Sequence, residues 1–88
     1  MTNTAKLSAN QIKTLMTVLP MMVTAEATEF SAAGEISAYA IAKAHGAAFT
    51  AIDALVRKGI LIHRNGEMPI PEGPDAGMVS FQAWYSAA

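Results

Sequence analysis

Two glycines thirteen residues apart, Gly46 and Gly59, each close a run of residues suited to a helix, and they fix the layout of residues 37–61, SAYAIAKAHGAAFTAIDALVRKGIL. Glycine ends helices because it takes the left-handed conformation that a Cβ penalises. Ser37 suits the start of the first helix, since its hydroxyl oxygen can accept from a backbone N–H left unpaired there. Ile36 outside this cap and Ile41 inside the helix are spaced as a hydrophobic staple. A second helix is expected over 49–58, with Ile52, Leu55 and Val56 on one face. Ile60 falls where a Schellman motif places its apolar contact, here Leu55. These signals predict two short helices at a tight turn, leading into a strand.

This arrangement resembles the helix-turn-helix of winged-helix DNA-binding domains. Ile41-Ala42 stands where that family has an apolar-Ala pair in its first motif helix, Gly46 sits in the turn, and Ile52, Leu55 and Val56 stand at buried positions of the recognition helix. Gly59-Ile60-Leu61 matches the glycine-apolar step into the wing, and the Gly46-to-Gly59 spacing is similar to that of excisionase and MerR-type domains rather than MarR-like regulators. The resemblance implies a mostly α fold with a small β-hairpin, an α+β winged helix-turn-helix with its motif at 37–59 and its wing at 60–85. It implies duplex DNA as partner. In that family the turn and the start of the recognition helix carry polar residues that reach base edges and phosphates. Here the same places hold Ala47, Ala48, Phe49, Thr50 and Ala51, so the scaffold is well matched and the reading chemistry is thin.

The chain has 88 residues, 52% of them hydrophobic, which suits one domain over 7–88 behind a loose tail at 1–6. A single core only just supports folding at this size, so a homodimer is expected to add buried surface. The lack of cysteine excludes disulfides, thiolate metal sites and cysteine nucleophiles. The apolar run 18–23 is interrupted by Pro20 and too short to span a bilayer, and the N-terminal residues are polar, so a cytoplasmic protein without a membrane partner is expected. Six Lys and Arg stand against seven Asp and Glu, and this net charge of −1 shows no basic footprint of the kind that phosphate neutralisation rewards. Lys43, His45, Arg57, Lys58, His63 and Arg64 nevertheless gather in the motif and the following strand, while Glu67, Glu72 and Asp75 crowd the wing tip.

Along the chain, Ser8 and Gln11 form a capping-box pair, with Leu7 and Ile12 spaced as a staple. Ile12, Leu15, Met16 and Leu19 recur at helical spacing, predicting an amphipathic helix over 9–19 that Pro20 stops or kinks. Two readings stand for 21–34. Thr24 caps a short helix ending at Gly34, or the stretch is a long connection with 35–37 adding a small strand. Residues 60–64 are rich in β-branched side chains and Asn65-Gly66 suits a hairpin turn, so 66–77 is expected as a long wing loop and 78–85 as the returning strand. On that strand Val79, Phe81 and Tyr85 share one face, and Trp84 lies on the more polar one.

Catalytic chemistry finds no pattern to rest on. His45 and His63 are isolated, no two-histidine metal spacing occurs, and the six glycines form no phosphate loop, so no catalytic residue, metal or cofactor is expected. His45 suits the negative end of its helix. The first functional expectation is a small DNA-binding transcriptional regulator. Thr50, Asp53, Ala54, Arg57 and Lys58 would face outward on the recognition helix, with Lys43, His63 and Arg64 at phosphates. The second is a winged-helix scaffold turned into a protein-binding module, such as a phage or mobile-element inhibitor of a host or defence protein. Met21, Met22, Phe30 and Trp84 would be its partner or dimer surface.

Overall fold

The computed structural model describes residues 6–46 and 49–88. Residues 1–5 of the expected tail, and Ala47 and Ala48 of the expected turn, lie outside the described residues. Helix α1, Ala9–Thr24, begins at the capping box: the Gln11 amide donates to the Ser8 hydroxyl and the Ser8 amide to the Gln11 side-chain carbonyl, each at 3.1 Å. It does not stop at Pro20, as expected, but continues through it for another turn. An interior proline costs about 3 kcal/mol. Burying Met22 two residues later returns a similar amount, and the Thr24 hydroxyl closes the end by donating to the carbonyls of Pro20 and Met21.

The buried face of α1 also differs from the expected one. Thr14, Val18 and Met22 are buried, with Leu15, Leu19 and Met21 packed at the margin, whereas Ile12 and Met16 point outward. The reason is Thr14. Its hydroxyl donates to the Asn10 carbonyl at 2.9 Å and stands 3.0 Å from His45 Nε2, so a polar side chain is fully satisfied in the core. Because that hydroxyl has one proton, the second bond makes His45 the donor. His45 thereby ties the end of α2 to α1 rather than serving only the helix terminus.

Residues 25–35 form no helix, and of the two readings the connection with a small strand is the one observed. β1, Ile36–Ser37, runs directly into α2, Ala38–His45, whose first turn is capped by Ser37 accepting from the Ala40 amide at 3.0 Å. Gly46 ends α2 in the left-handed conformation, φ 74°. Helix α3, Phe49–Arg57, closes with the Ile60 amide donating to the Leu55 carbonyl and the Gly59 amide to that of Val56, the paired bonds of a Schellman motif.

Strands β2, Leu61–Pro69, and β3, Val79–Ala87, pair antiparallel along their whole length, from Leu61 opposite Ala87 to Pro69 opposite Val79. Asn65-Gly66 is therefore not the hairpin turn; it lies in mid-strand opposite Ala83 and Gln82, and the turn is residues 70–78. Gly66 serves contact instead of conformation. A Cβ there would lie 2.6 Å from an Arg64 guanidinium nitrogen and 2.8 Å from Trp84 Cδ1, so the glycine gives room to both side chains and lets the indole lie across β2 and donate to the Glu67 carbonyl at 3.1 Å. The described residues thus form an α+β fold of three helices and one antiparallel sheet in the order β1-β3-β2. The core joins Val18, Met22, Ile41, Ile52 and Leu55 from the helices to Ile36, Leu61 and Tyr85 from the sheet. No described helix is long and apolar enough to cross a membrane.

Candidate nucleic-acid interface

Helix α3 buries Ala51, Ile52, Ala54 and Leu55, and this choice sets what it can show to a ligand. Thr50, Asp53 and Arg57 are left exposed at helical spacing. Ala54, expected on the outward face, is in the core instead, because the positions before and after Leu55 on the helix lattice close against α1 and the sheet. Lys43 is exposed on the last turn of α2 with its ammonium 5.4 Å from the Tyr39 ring centre. His63 is exposed on β2, its ring centre 5.2 Å from that of Tyr85. The Tyr85 hydroxyl is held above its ordinary pKa, first by burial and then by the negative charge of Asp53.

Two of the expected DNA contacts are occupied elsewhere. Lys58 donates from Nζ to Gln11 Oε1 at 2.9 Å and to the Lys6 carbonyl at 3.3 Å, fastening the end of α3 to the start of α1. Arg64 follows His63 and so points to the opposite sheet face. There Nε and one terminal nitrogen donate to the two Glu35 oxygens, both at 2.8 Å, and that nitrogen also reaches the Phe30 carbonyl at 3.2 Å. The guanidinium lies 5.9 Å from the Trp84 ring centre. Hydrogen bonding to Arg64 lowers the Glu35 pKa against the opposing effect of burial, and the same bond raises that of Arg64. Arg64 is a clamp that holds the 25–35 connection on the outer face of the sheet.

In the hairpin turn Glu72 accepts a hydrogen bond from the Tyr39 hydroxyl of α2. Of the expected contacts Lys43, Thr50, Arg57 and His63 remain exposed, with Asp53 between Thr50 and Arg57; Lys43 and Arg57 are the two permanent cations among them. Among the described residues no group of three potential metal ligands is brought together.

The expected partner surface is rearranged as well. Met22 is in the core and Trp84 is covered, while Met21 and Phe30 are half-buried. The open apolar side chains are Ile12, Met16 and Val23 on α1, and Ile62, Met78, Val79 and Phe81 on the hairpin. Sequence reasoning missed the α1 group because it assigned Ile12 and Met16 to the core. Phe81 was placed on the correct strand face, but its distance from the helices had no signal in the strand period. Compared with protein-family models, curated proteins and solved structures, the chain matches none.

Proposed function

We propose that the domain is a winged helix and that it acts as a small DNA-binding regulator of transcription in the cytoplasm. The observation that carries this reading is the outward face of α3. Thr50, Asp53 and Arg57 are presented by a helix whose other side is locked into the core, with α2 before it across Gly46 and a long hairpin after it. The order α1-β1-α2-α3-β2-β3 and the sheet order β1-β3-β2 support the fold part of the reading. In this mechanism α3 enters the major groove. Thr50, near its N-terminal end, meets base edges, Asp53 accepts from a cytosine amino group, and Arg57 and Lys43 neutralise phosphates.

With two phosphate-neutralising cations the slope of log affinity against log salt is about −2, much shallower than for a strongly basic domain. Fluorescence anisotropy on random-sequence duplex DNA measures it. Arg57→Ala is expected to weaken binding at every salt concentration and to bring the slope to about −1. Wild-type affinity in that variant would remove Arg57 from the contact set, and no binding at low salt would reject the DNA reading. A specific observation favours a second reading, the protein-binding module: Lys58 and Arg64 are engaged within the domain, and Phe81 is 89% exposed. Under that reading a Phe81→Ser variant loses its protein partner, and DNA affinity is absent from the start.

A further inference from the structure

Helix α1 is apolar on two faces, and the fold uses one of them. The second consists of Ile12, Met16 and Val23, which are 46%, 72% and 83% exposed, with the half-buried Leu19 at the margin between the two faces. Their spacing of four, three and four residues is that of a helix–helix seam. It is also palindromic. A copy of the helix laid antiparallel places Ile12 against Val23 of the partner subunit and Met16 against Leu19 of the partner subunit, and the twofold axis repeats both contacts. Beside Val23 the surface dips into a groove of about 350 Å³ lined by small groups, including Ala33, Gly34 and Ala87, which gives room for the side chain arriving opposite.

Charge selects the same orientation. Lys6 and Lys13 mark the N-terminal end of α1, and Glu26 and Glu29 follow its C-terminal end; all four are exposed, and none belongs to the one ion pair found among the described residues. Antiparallel pairing brings the lysines of each copy to the glutamates of the other and opposes the helix dipoles, whereas parallel pairing sets like charges together. We infer that α1 is a self-association surface and that its occupant is a second copy of this chain, paired antiparallel through Ile12, Met16, Leu19 and Val23. The interface is isologous and closes on itself as a dimer. It involves no residue of α3 and stands whether or not the domain binds DNA.

Light scattering and sedimentation equilibrium on the full chain are expected to give twice the 9.2 kDa protomer mass. Met16→Glu is expected to weaken dimerisation about tenfold or more, since each copy loses a buried apolar side chain, while circular dichroism stays unchanged because position 16 is exposed. Lys13→Glu is expected to weaken it less, and adding Glu26→Lys to the same chain to restore it. Orientation is read by cross-linking in a chain that has no cysteine of its own. In the antiparallel dimer the two Ile12 positions are about 16 Å apart, beyond disulfide reach. A disulfide is therefore expected when Ile12→Cys and Val23→Cys proteins are mixed, and none from Ile12→Cys alone. A monomer up to about 1 mM, where only the weakest association escapes detection, overturns the inference. So does a dimer that survives Met16→Glu and dissociates in Phe81→Ser, or an Ile12→Cys protein that cross-links to itself.

Discussion

Phe81 and Tyr85 lie four residues apart on one face of one strand, yet Phe81 is 89% exposed and Tyr85 6%. The strand period treats them alike. What separates them is about 13 Å of strand, enough to carry β3 from the core to a part of the hairpin where its side chains are exposed. At the Tyr85 end both faces are covered: Tyr85 packs in the core beside Phe49, and on the reverse Trp84 is enclosed by Gly66, Arg64 and the Glu67 carbonyl. At the Phe81 end the facing residue on β2 is Glu67, which is exposed. A nine-residue strand in this fold is thus two structures in sequence, a core strand and a projecting arm.

The largest effect is expected from truncating the core end. Tyr85→Ala should cost about 3–5 kcal/mol, as for other large buried aromatics, read as a lowered urea midpoint. A small loss would mean that the strand is held by its ladder and not by its core contacts. Next comes Gly66→Ala, where the added methyl meets Trp84 Cδ1 at 2.8 Å and forces the indole away from Glu67. A loss of about 1–3 kcal/mol is expected, with a changed emission from this single tryptophan. In a Trp84→Leu background the same substitution should lose the part of its cost that the indole causes while the Arg64 contact remains, and an undiminished cost there would show that Gly66 is needed for Arg64 or for its backbone instead.

A smaller effect belongs to the clamp on the outer face. The Glu35 pKa is lowered in the fold, so its contribution is present above its unfolded value near 4.5 and fades as pH falls through the lower folded value. Wild-type protein should therefore lose its stability advantage over Glu35→Gln in the acid range below about pH 4.5, and equal stabilities at neutral pH would show that the Arg64 pair contributes nothing net. The smallest effect is expected at the arm: Phe81→Ala should leave stability within about 0.5 kcal/mol. A larger loss would place Phe81 in a contact that the isolated protomer does not contain.

The local punctuation was legible because its causes are local. The Ser8–Gln11 box, the Ser37 cap, the glycine at the end of α2 and the Schellman motif after α3 each involve a few consecutive residues, and each stands where the residue types place it. Of the expected buried face of α3, Ile52 and Leu55 are buried and Val56 is half-buried, while the buried Ala51 and Ala54 were not expected there. Signals that depend on a distant partner were the ones misread. Thr14 looks polar until His45 and the Asn10 carbonyl satisfy it. Asn65-Gly66 has the composition of a turn until Trp84 requires a glycine to lie against. Arg64 and Lys58 are cations suited to phosphate until Glu35, Gln11 and the Lys6 carbonyl take them up.

The sequence by itself determined where the three helices start, where α2 and α3 stop, and that a paired hairpin follows them, since capping bonds, glycine conformations and strand propensity act within a few residues. Only the tertiary structure decided which apolar face of α1 enters the core, how far the hairpin projects, and which basic side chains remain available. Those outcomes depend on pairing groups as much as 52 positions apart, as Lys6 and Lys58 are. Burial and hydrogen bonding are satisfied by whatever lies nearby in space, and proximity in space is set by the packing of the whole chain.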